Sequence, residues 1–297
     1  MSLSFHTFDA RTGRLDPAMG SVTSYPGGDT SVRHLEPVTA EKQHPVAWNL
    51  GGTLDYAALG QWVAFHTAES TLPPVLVMPY LPSARGDRDS TRDAQVAARL
   101  TAATGIRLLI TADPHSPAWA AAAGPTWIYA VGADDLVGGS TLAAPHWDWT
   151  AVIAPDKGAV NRAGDVARIL GVPLLTAGKV RDAATGKLSG FAAPAEIGAG
   201  RFLVIDDICD GGGTFAGLAV AIAEVAPEAE LHLWVTHGLF TGHWRENVLQ
   251  NYVSVSAADT AAGSENSPLP YGVRAVRLLP HVLEQLNHIH RLTTEAA

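Results

Sequence analysis

The sequence predicts an α/β protein made of mostly parallel sheets flanked by helices, and three features of the 297-residue chain lead to this class. Seven short apolar runs rich in β-branched residues predict strands, segments of helical pattern lie between them, and polar residues follow the runs. Alternation of strand and helix is typical of parallel sheets covered by helices. The length is enough for about two domains.

The predicted strands, in chain order, are 74–80, 106–113, 126–132, 151–156, 202–207, 231–238 and 252–257. Each run is mostly apolar and ends in polar or small residues, so we expect strands that are buried on both faces. The predicted helices are 90–104, 158–171 and 214–226. The series divides between residues 140 and 150, which predicts an N-terminal domain over 1–146 and a C-terminal domain over 147–297.

Charge and cysteine content exclude several classes of protein. The formal net charge is -9, which argues against nucleic-acid and anionic-membrane partners because both require a surplus of Lys and Arg. A single cysteine, Cys209, excludes an internal disulfide, and the N-terminus lacks the pattern of a signal peptide. The uncharged segment 114–133 has membrane-like length, but three prolines and two glycines interrupt it. We predict a cytoplasmic protein.

The stretch 201–215, RFLVIDDICDGGGTF, joins a predicted strand to a predicted helix through three aspartates and three glycines. Three phosphate-binding loops compete for it. The P-loop requires Gly-Lys followed by Ser or Thr, which is missing here. The dinucleotide fingerprint fits Gly211, Gly213 and Ala216, but the neighbouring aspartates would repel a pyrophosphate.

A third type of loop accounts for all of these residues. Carboxylates accept hydrogen bonds from two ribose hydroxyls, while backbone N–H groups at the start of the helix hold a phosphate. An acidic turn that only caps the helix is the structural alternative. The ribose-phosphate interpretation selects Asp206, Asp207, Asp210, Gly211, Gly212, Gly213 and Thr214.

The segment VIDDICDGGGT resembles the phosphoribosyl-binding signature of type I phosphoribosyltransferases and of ribose-phosphate diphosphokinases, also called phosphoribosyl pyrophosphate synthetases. Four other stretches are similar to the diphosphokinases and follow the family order: MPYLPSARGDRDS, ITADPHS, IAPDKGAVNRAGDVARIL and VTHGLFTG. The resemblance covers nearly the whole chain. It implies two phosphoribosyltransferase-like domains, with ATP on the N-terminal side and the ribose-phosphate and catalytic loops in the C-terminal domain.

The resemblance also implies roles for individual residues. The residues similar to ATP-binding segments are Tyr25, Asp29, Arg85, Asp87 and Arg88. Gly27 and Gly86 depart from the family pattern. Metal-binding positions correspond to His115 and Asp156, with Mg2+ as the cofactor. His115 is the weaker ligand because Mg2+ prefers oxygen, and a histidine that only caps a strand end is the alternative.

The segment TAGKVRDAATGKLSGF lies where the family keeps its catalytic loop, which implies that Lys179 and Arg181 stabilise charge on the transferred group. A solvated basic loop is the alternative. The implied reaction is attack by the C1 hydroxyl of a ribose on the β-phosphorus of ATP, giving a ribosyl 1-diphosphate and AMP. Such transfers depend mainly on alignment and charge neutralisation.

The acceptor sugar is left open by one departure from the family. Gly211 replaces a hydroxyl residue of the usual phosphate loop, and glycine leaves room for a phosphate that is already esterified. Ribose 5-phosphate is the expected acceptor and ADP-ribose is the alternative, since the loop also resembles a divergent, phage-type branch linked to NAD salvage. A silent regulatory paralogue is the third possibility. The family's adenine contact crosses subunits, which implies a homo-oligomer of at least two chains.

Overall fold

A computed structural model describes residues 3–50, 54–86, 92–181, 188–260 and 269–295, with backbone alone at 179–181 and 188–189. The chain forms two compact units. The first comprises Met1–Val131, Thr260–Gly263 and Leu279–Ala297, and the second comprises Gly132–Asp259 and Ser264–Leu278.

The strands are β1 (Leu3–Asp9), β2 (Arg14–Pro17), β3 (Ser21–Ser24), β4 (Thr30–Arg33), β5 (Gln43–Asn49), β6 (Val75–Val77), β7 (Leu108–Ala112), β8 (Trp127–Val131), β9 (Ala151–Ala154), β10 (Leu174–Thr176), β11 (Gly178–Arg181), β12 (Leu188–Ala192), β13 (Gly200–Cys209), β14 (Ala229–Gly238), β15 (Ser254–Ala258) and β16 (Val273–Val276). The α-helices are α1 (Tyr56–Glu69), α2 (Asp93–Ala103), α3 (Pro117–Ala122), α4 (Ala133–Gly138), α5 (Val160–Leu170), α6 (Gly213–Val225) and α7 (Leu279–Glu295). A π-helical turn spans Arg245–Leu249.

The first unit contains a mixed sheet with strand order β2-β1-β5-β6-β7-β8. β1 is antiparallel to both of its neighbours, whereas β5, β6, β7 and β8 are parallel to one another. Helix α1 begins after Asp55, whose Oδ1 accepts a 2.9 Å hydrogen bond from the backbone N–H of Ala58. Its buried Trp62 stacks on Phe5 of β1 with ring centroids 5.8 Å apart, which fixes the helix on the sheet.

The second unit contains a fully parallel sheet with strand order β10-β9-β13-β14-β15-β16. Its central strands are apolar because helices cover them, and Val204, Leu233 and Val255 are buried with Leu218 and Ile222 of α6. The antiparallel pair β11–β12 lies between β10 and β13 in the chain.

These sheets confirm the predicted α/β class, with parallel strands flanked by helices. Every predicted strand and helix is present with shifted ends. The expected burial of 126–132 on both faces is wrong, because β8 is an edge strand and Trp127 is 71% exposed. Within the described part of the chain, no helix is both long and apolar enough to cross a membrane.

The compact units divide the chain differently from the predicted halves 1–146 and 147–297 at residues 132–146, 260–263 and 279–297. Residues 132–146 join the second unit, where α4 packs against α5. Leu136 and Val137 of α4 are buried there. Helix α7, near the C-terminus, joins the first unit and packs against β8. Val282, Leu286 and Ile289 form its buried face. Packing of apolar helix faces, which a division of the strand series does not show, sets these boundaries.

Candidate active site

The acidic residues selected from the sequence gather at the carboxyl ends of adjacent strands in the second unit. Asp156 follows β9, Asp206 and Asp207 lie near the end of β13, and Asp210 comes directly after it. β9 and β13 are neighbours in the sheet. In open parallel sheets this edge forms the crevice where ligands bind. The structure therefore places the four carboxylates at one edge of one sheet.

Asp206 and Asp207 share one basic partner, Arg162 of α5. The distance is 3.6 Å from Arg162 Nη1 to Asp206 Oδ1 and 3.4 Å from Nη2 to Asp207 Oδ2. The side chains are only 13% (Arg162), 16% (Asp206) and 6% (Asp207) exposed. Arg162 is thus a basic group placed beside two buried carboxyl groups, whose oxygens are suited to hydroxyl donors or cations.

Burial, and then the negative charge of Asp207, raises the pKa of Asp206 well above its ordinary value, and Arg162 only partly opposes these effects. The backbone N–H of Asp207 also donates a 2.9 Å hydrogen bond to Asp206 Oδ1. A ligand that donates hydrogen bonds to Asp206 would favour its ionised form. Binding of such a ligand and loss of a proton should therefore be coupled.

The glycines after β13 form a loop that leads into α6. Gly212 has φ +77°, and a Cβ on it would lie 2.6 Å from Cγ2 of Val248, so a larger residue would meet both backbone strain and a clash. Asn247 of the π-helical turn donates a 2.7 Å hydrogen bond from Nδ2 to the carbonyl of Gly211. In a planar trans peptide the N–H of Gly212 then points away from that turn. Helix α6 starts at Gly213 with its backbone N–H groups available to an anion.

Asp210 is connected to the segment that follows β14. Thr241 Oγ1 donates a hydrogen bond to Asp210 Oδ1, and the Thr241 N–H donates a 3.2 Å bond to the Asp210 carbonyl. The N–H groups of Leu239 and Phe240 both donate to the carbonyl of Cys209, at 2.8 and 3.0 Å. The end of β13 and the chain after β14 are therefore held together by backbone and side-chain bonds.

Asp156 shapes the turn between β9 and α5. Its Oδ1 accepts a 2.8 Å hydrogen bond from the N–H of Gly158, and its carbonyl accepts a 3.2 Å bond from Ala159. This Asx-type turn holds a half-buried carboxylate at the strand end. The observed role is structural, and the metal role stays a prediction.

Lys179 and Arg181 lie on β11, which pairs with β12 in an antiparallel arrangement. Their side chains lie outside the described atoms. Helix α6 packs against β12, so the pair is adjacent to the helix that begins at the glycine loop. The catalytic roles of these two residues stay predictions.

Arg85 and His115 follow β6 and β7, two neighbouring parallel strands of the first unit. Arg85 is exposed and His115 is half-buried. Asp87 and Arg88 lie outside the described residues. A Cβ on Gly86 would lie 2.7 Å from Cβ of Asp93, which gives a packing reason for glycine where the family has a larger residue.

Tyr25 and Asp29 meet in the turn of the β3–β4 hairpin, where the Tyr25 N–H donates a 2.8 Å bond to the Asp29 carbonyl. Arg33 lies over the Tyr25 ring, 5.8 Å from its centroid, and its Nε donates a 3.0 Å bond to the Tyr25 hydroxyl. Gln61 of α1 holds this hairpin through bonds with Thr30 and Val32. The hairpin thus presents a supported aromatic ring.

Within the described residues, no group of three or more His, Cys, Asp or Glu side chains is arranged to hold a metal ion. Mg2+ commonly binds through one or two carboxylates together with substrate phosphates and water, so it does not need such a group. The carboxylate donors at the β9 and β13 ends suit Mg2+ in chemical type. The nitrogen of His115 does not.

Sequence reasoning missed Arg162 and Asn247. A signal for Arg162 was available, since it lies in the first turn of α5, where the helix dipole disfavours a cation and where this helix has no acidic residue. A basic residue at that position indicates an outside partner. Asn247 gave no signal, because its role depends on a contact with Gly211, 36 residues earlier.

Comparisons with known proteins show what the chain is similar to. Residues 142–262 match the family described as "Phosphoribosyl transferase domain". The ribose-phosphate pyrophosphokinase of Cereibacter sphaeroides is 27% identical over 216 residues, which is 69% of this chain and 61% of that protein. The enzyme of the same name from Hyphomonas neptunium is 26% identical over 223 residues, covering 72% of this chain and 69% of that protein. The alignment thus spans about three fifths of the first relative's length.

The fold has a solved counterpart over nearly its full length. Phosphoribosylpyrophosphate synthetase from Mycobacterium smegmatis is similar with a TM-score of 0.73, covering 95% of this chain and 94% of that one. The sequence identity is 18%, so this likeness concerns the fold alone.

Proposed function

We propose that this chain, which is similar to ribose-phosphate pyrophosphokinases, transfers the β,γ-diphosphate of ATP to the C1 hydroxyl of ribose 5-phosphate. The products are phosphoribosyl pyrophosphate and AMP. The observation that carries the proposal is the buried Asp206–Asp207 pair, which lies directly before a glycine loop at a helix start and shares Arg162. A sugar with two hydroxyls and a phosphate has the groups that such an arrangement recognises.

The acidic pair suits the hydroxyls of the acceptor. Ionised carboxylates only accept hydrogen bonds, and the 2- and 3-hydroxyls of a ribose are donors. Arg162 acts to lower the pKa of Asp206 and so partly opposes the effect of burial on this carboxyl. The raised pKa of Asp206 means that sugar binding must compete with a proton at this carboxylate.

The glycine loop suits the 5-phosphate. The αL turn at Gly212 and the start of α6 at Gly213 provide backbone N–H donors and a favourable dipole for an anion. Asn247 and Val248 hold the loop in this shape without ligand. The phosphate therefore meets a site whose backbone is already ordered, which lowers the entropic cost of binding.

The transfer joins the C1 oxygen to the β-phosphorus and breaks the bond from that phosphorus to the oxygen shared with the α-phosphate, which leaves with AMP. The hydroxyl proton is lost in the same reaction. Arg85, Asp87, Arg88, Tyr25 and Asp29 are proposed to bind ATP, and Lys179 and Arg181 to stabilise charge on the transferred group. Asp156 and, more weakly, His115 are each proposed as Mg2+ ligands, and Mg2+ would supply positive charge to neutralise the triphosphate.

ADP-ribose is a second candidate acceptor, and one observation favours it. A Cβ on Gly211 would meet no atom closer than the Thr241 carbonyl at 4.0 Å, and this residue has no positive φ. The fold therefore does not require glycine at position 211. Its absence of a side chain leaves space and removes a hydroxyl donor, which suits a phosphate that is already a diester.

The test is to incubate the protein with Mg2+ and ATP and to offer ribose 5-phosphate and ADP-ribose separately, following AMP and the diphosphate product by mass spectrometry. We expect product with ribose 5-phosphate and loss of it in Asp207→Asn. Product from ADP-ribose alone would replace the acceptor in the proposal. No AMP with either sugar would contradict the proposed activity and favour a regulatory paralogue.

The variant Gly211→Ser separates the two acceptors. Because a side chain fits at this position, the variant should fold, and its hydroxyl should improve kcat/KM for ribose 5-phosphate relative to ADP-ribose. Gly212→Ser is the matched control, since that position has no room and should lose both activities. An unchanged ratio in Gly211→Ser would remove the argument for a widened phosphate pocket.

A further inference from the structure

We propose that Phe191 and Gly217 form a steric anchor that holds the strand carrying Lys179 against the helix of the phosphate loop. The inference rests on the proposed function, because it concerns how a catalytic strand is positioned. Phe191 belongs to β12 and Gly217 to α6. Neither residue was selected from the sequence.

The first half of the anchor is the register of the β11–β12 pair. Lys179 is directly opposite Phe191, with Gly178 opposite Ala192 and Val180 opposite Gly190. Directly opposed residues of antiparallel strands have Cα atoms about 4.5 to 5.5 Å apart. A contact that fixes the position of Phe191 therefore also restrains the backbone of Lys179, which lies directly opposite.

The second half of the anchor is the contact of Phe191 with α6. A Cβ on Gly217 would lie only 2.2 Å from Cδ2 and Cε2 of the Phe191 ring, so the ring occupies the space of a side chain at this position. Glycine inside a helix is unfavourable relative to alanine, and this contact explains its presence. Gly217 lies four residues after Gly213, which is about one helical turn from the start of α6.

These two contacts connect the glycine loop to the backbone of Lys179 through rigid elements. The route runs from Gly213 along one turn of α6 to Gly217, across to the Phe191 ring, and across the strand pair to Lys179. Charge stabilisation in phosphoryl transfer depends on position, and a displacement of about 1 Å can reduce a rate about 100-fold. Phe191 and Gly217 are positioning residues in this scheme, since they act through Lys179.

The experiment compares four variants of the full chain. Gly217→Ala places a methyl group inside the Phe191 ring volume and should displace β12 from α6. Phe191→Val removes Cδ2 and Cε2 and keeps a β-branched residue suited to a strand. The double variant should restore the fit, because the remaining close approach is that of Cγ at 3.1 Å. Gly60→Ala on α1 is the matched control, since its Cβ would lie 3.9 Å from the nearest atom.

We expect kcat to fall about 100-fold in Gly217→Ala with little change in KM for ATP, and to recover at least about tenfold in the double variant. Gly60→Ala should keep the wild-type kcat. Amide hydrogen exchange in Gly178–Arg181 should quicken in Gly217→Ala and slow again in the double variant. Equal exchange and equal kcat in Gly217→Ala and wild type would overturn the proposal, as would a double variant no better than Gly217→Ala.

The exchange measurement keeps this inference separable from the proposed function. If wild type makes no product with either acceptor, the proposed function fails, while the exchange rates still decide whether Phe191 and Gly217 hold β11. If Gly217→Ala does not fold, Phe191→Val alone must show faster exchange in β11 and a lower kcat. Wild-type values of both in that variant would overturn the anchor.

Discussion

The carboxyl ends of the two sheets carry candidate ligand residues of opposite charge, and they differ in how these residues are held. In the second unit Asp207 is buried and the acidic pair shares Arg162, while Asn247 and Thr241 hold the following loop. In the first unit Arg85 is exposed. Removing the partner of a buried charge is strongly destabilising, whereas truncating an exposed side chain changes stability little. Loss of Arg162 should therefore cost far more folding stability than loss of Arg85.

Arg162→Ala should have the largest effect on stability. It leaves two buried carboxylates without their cation, so the free energy of unfolding should fall by about 3 to 5 kcal/mol in urea denaturation at pH 7. Arg168→Ala is the matched control on the same helix, because Arg168 is 67% exposed in its pairs with Asp134 and Asp165. It should cost about 0.5 kcal/mol or less. Equal losses of unfolding free energy in the two variants would contradict the role of Arg162 as the buried partner of the acidic pair.

The raised pKa of Asp206 predicts how folding stability depends on pH. Burial raises the pKa of Asp206 well above its ordinary 3.8 in the folded state. The stability that this carboxyl contributes is therefore present below about pH 3.8 and is lost as the pH rises through the folded pKa. Asp206→Asn should abolish this loss and be more stable than wild type at neutral pH. A variant that is less stable than wild type at pH 7 would contradict the assigned pKa direction.

Gly212→Ala should have the next largest effect. The left-handed conformation costs about 1 to 2 kcal/mol for a residue with a Cβ, and overpacking against Val248 costs about 1 to 3 kcal/mol. The control is Gly213→Ala, where no atom lies within 4 Å of the added Cβ and no positive φ is required. Calorimetric unfolding should show a clearly lower melting temperature in Gly212→Ala and an unchanged melting temperature in Gly213→Ala. Similar melting temperatures would mean that the loop is not constrained as described.

Asn247→Asp should have a smaller effect, because it replaces one hydrogen-bond donor to the Gly211 carbonyl by an acceptor. The free energy of unfolding should fall by about 1 kcal/mol, and KM for the acceptor sugar should rise while KM for ATP stays the same. Asn251→Asp, whose exposed donor bonds only the Asn247 carbonyl, is the control for the π-helical turn. Equal rises in both KM values would argue against a role in the phosphate loop.

Arg85→Ala should have the smallest effect on stability, within about 0.5 kcal/mol, because the side chain is exposed. KM for ATP should nevertheless rise, since an arginine fork contributes to phosphate binding. Steady-state kinetics and urea denaturation of the same preparation check both statements. A large loss of stability would remove the contrast between the two sheets.

The sequence was informative where a residue acts through its own type or through local pattern. Apolar runs of strand length predicted β9, β13 and β14, and the aspartates and glycines after β13 marked the site. Strands β2, β3 and β4 have half-buried or exposed patterns without such runs, and they were missed. The strands β1, β5, β10, β11, β12 and β16 were missed as well. The shared cation Arg162, the support from Asn247 and the Phe191–Gly217 contact all depend on residues that only the fold brings together. Tertiary contacts of this kind have no local pattern.

The most direct test of the central claim is calorimetric titration of ribose 5-phosphate in two buffers that differ in ionisation enthalpy. If the sugar hydroxyls bind the Asp206–Asp207 pair, Asp206 must ionise, and the wild type should release protons at pH values below the raised pKa of this carboxyl. Asp206→Asn should bind more weakly and release none. Equal heats in the two buffers for wild type, or unchanged affinity in Asp206→Asn, would contradict the assignment of this pair to the acceptor sugar.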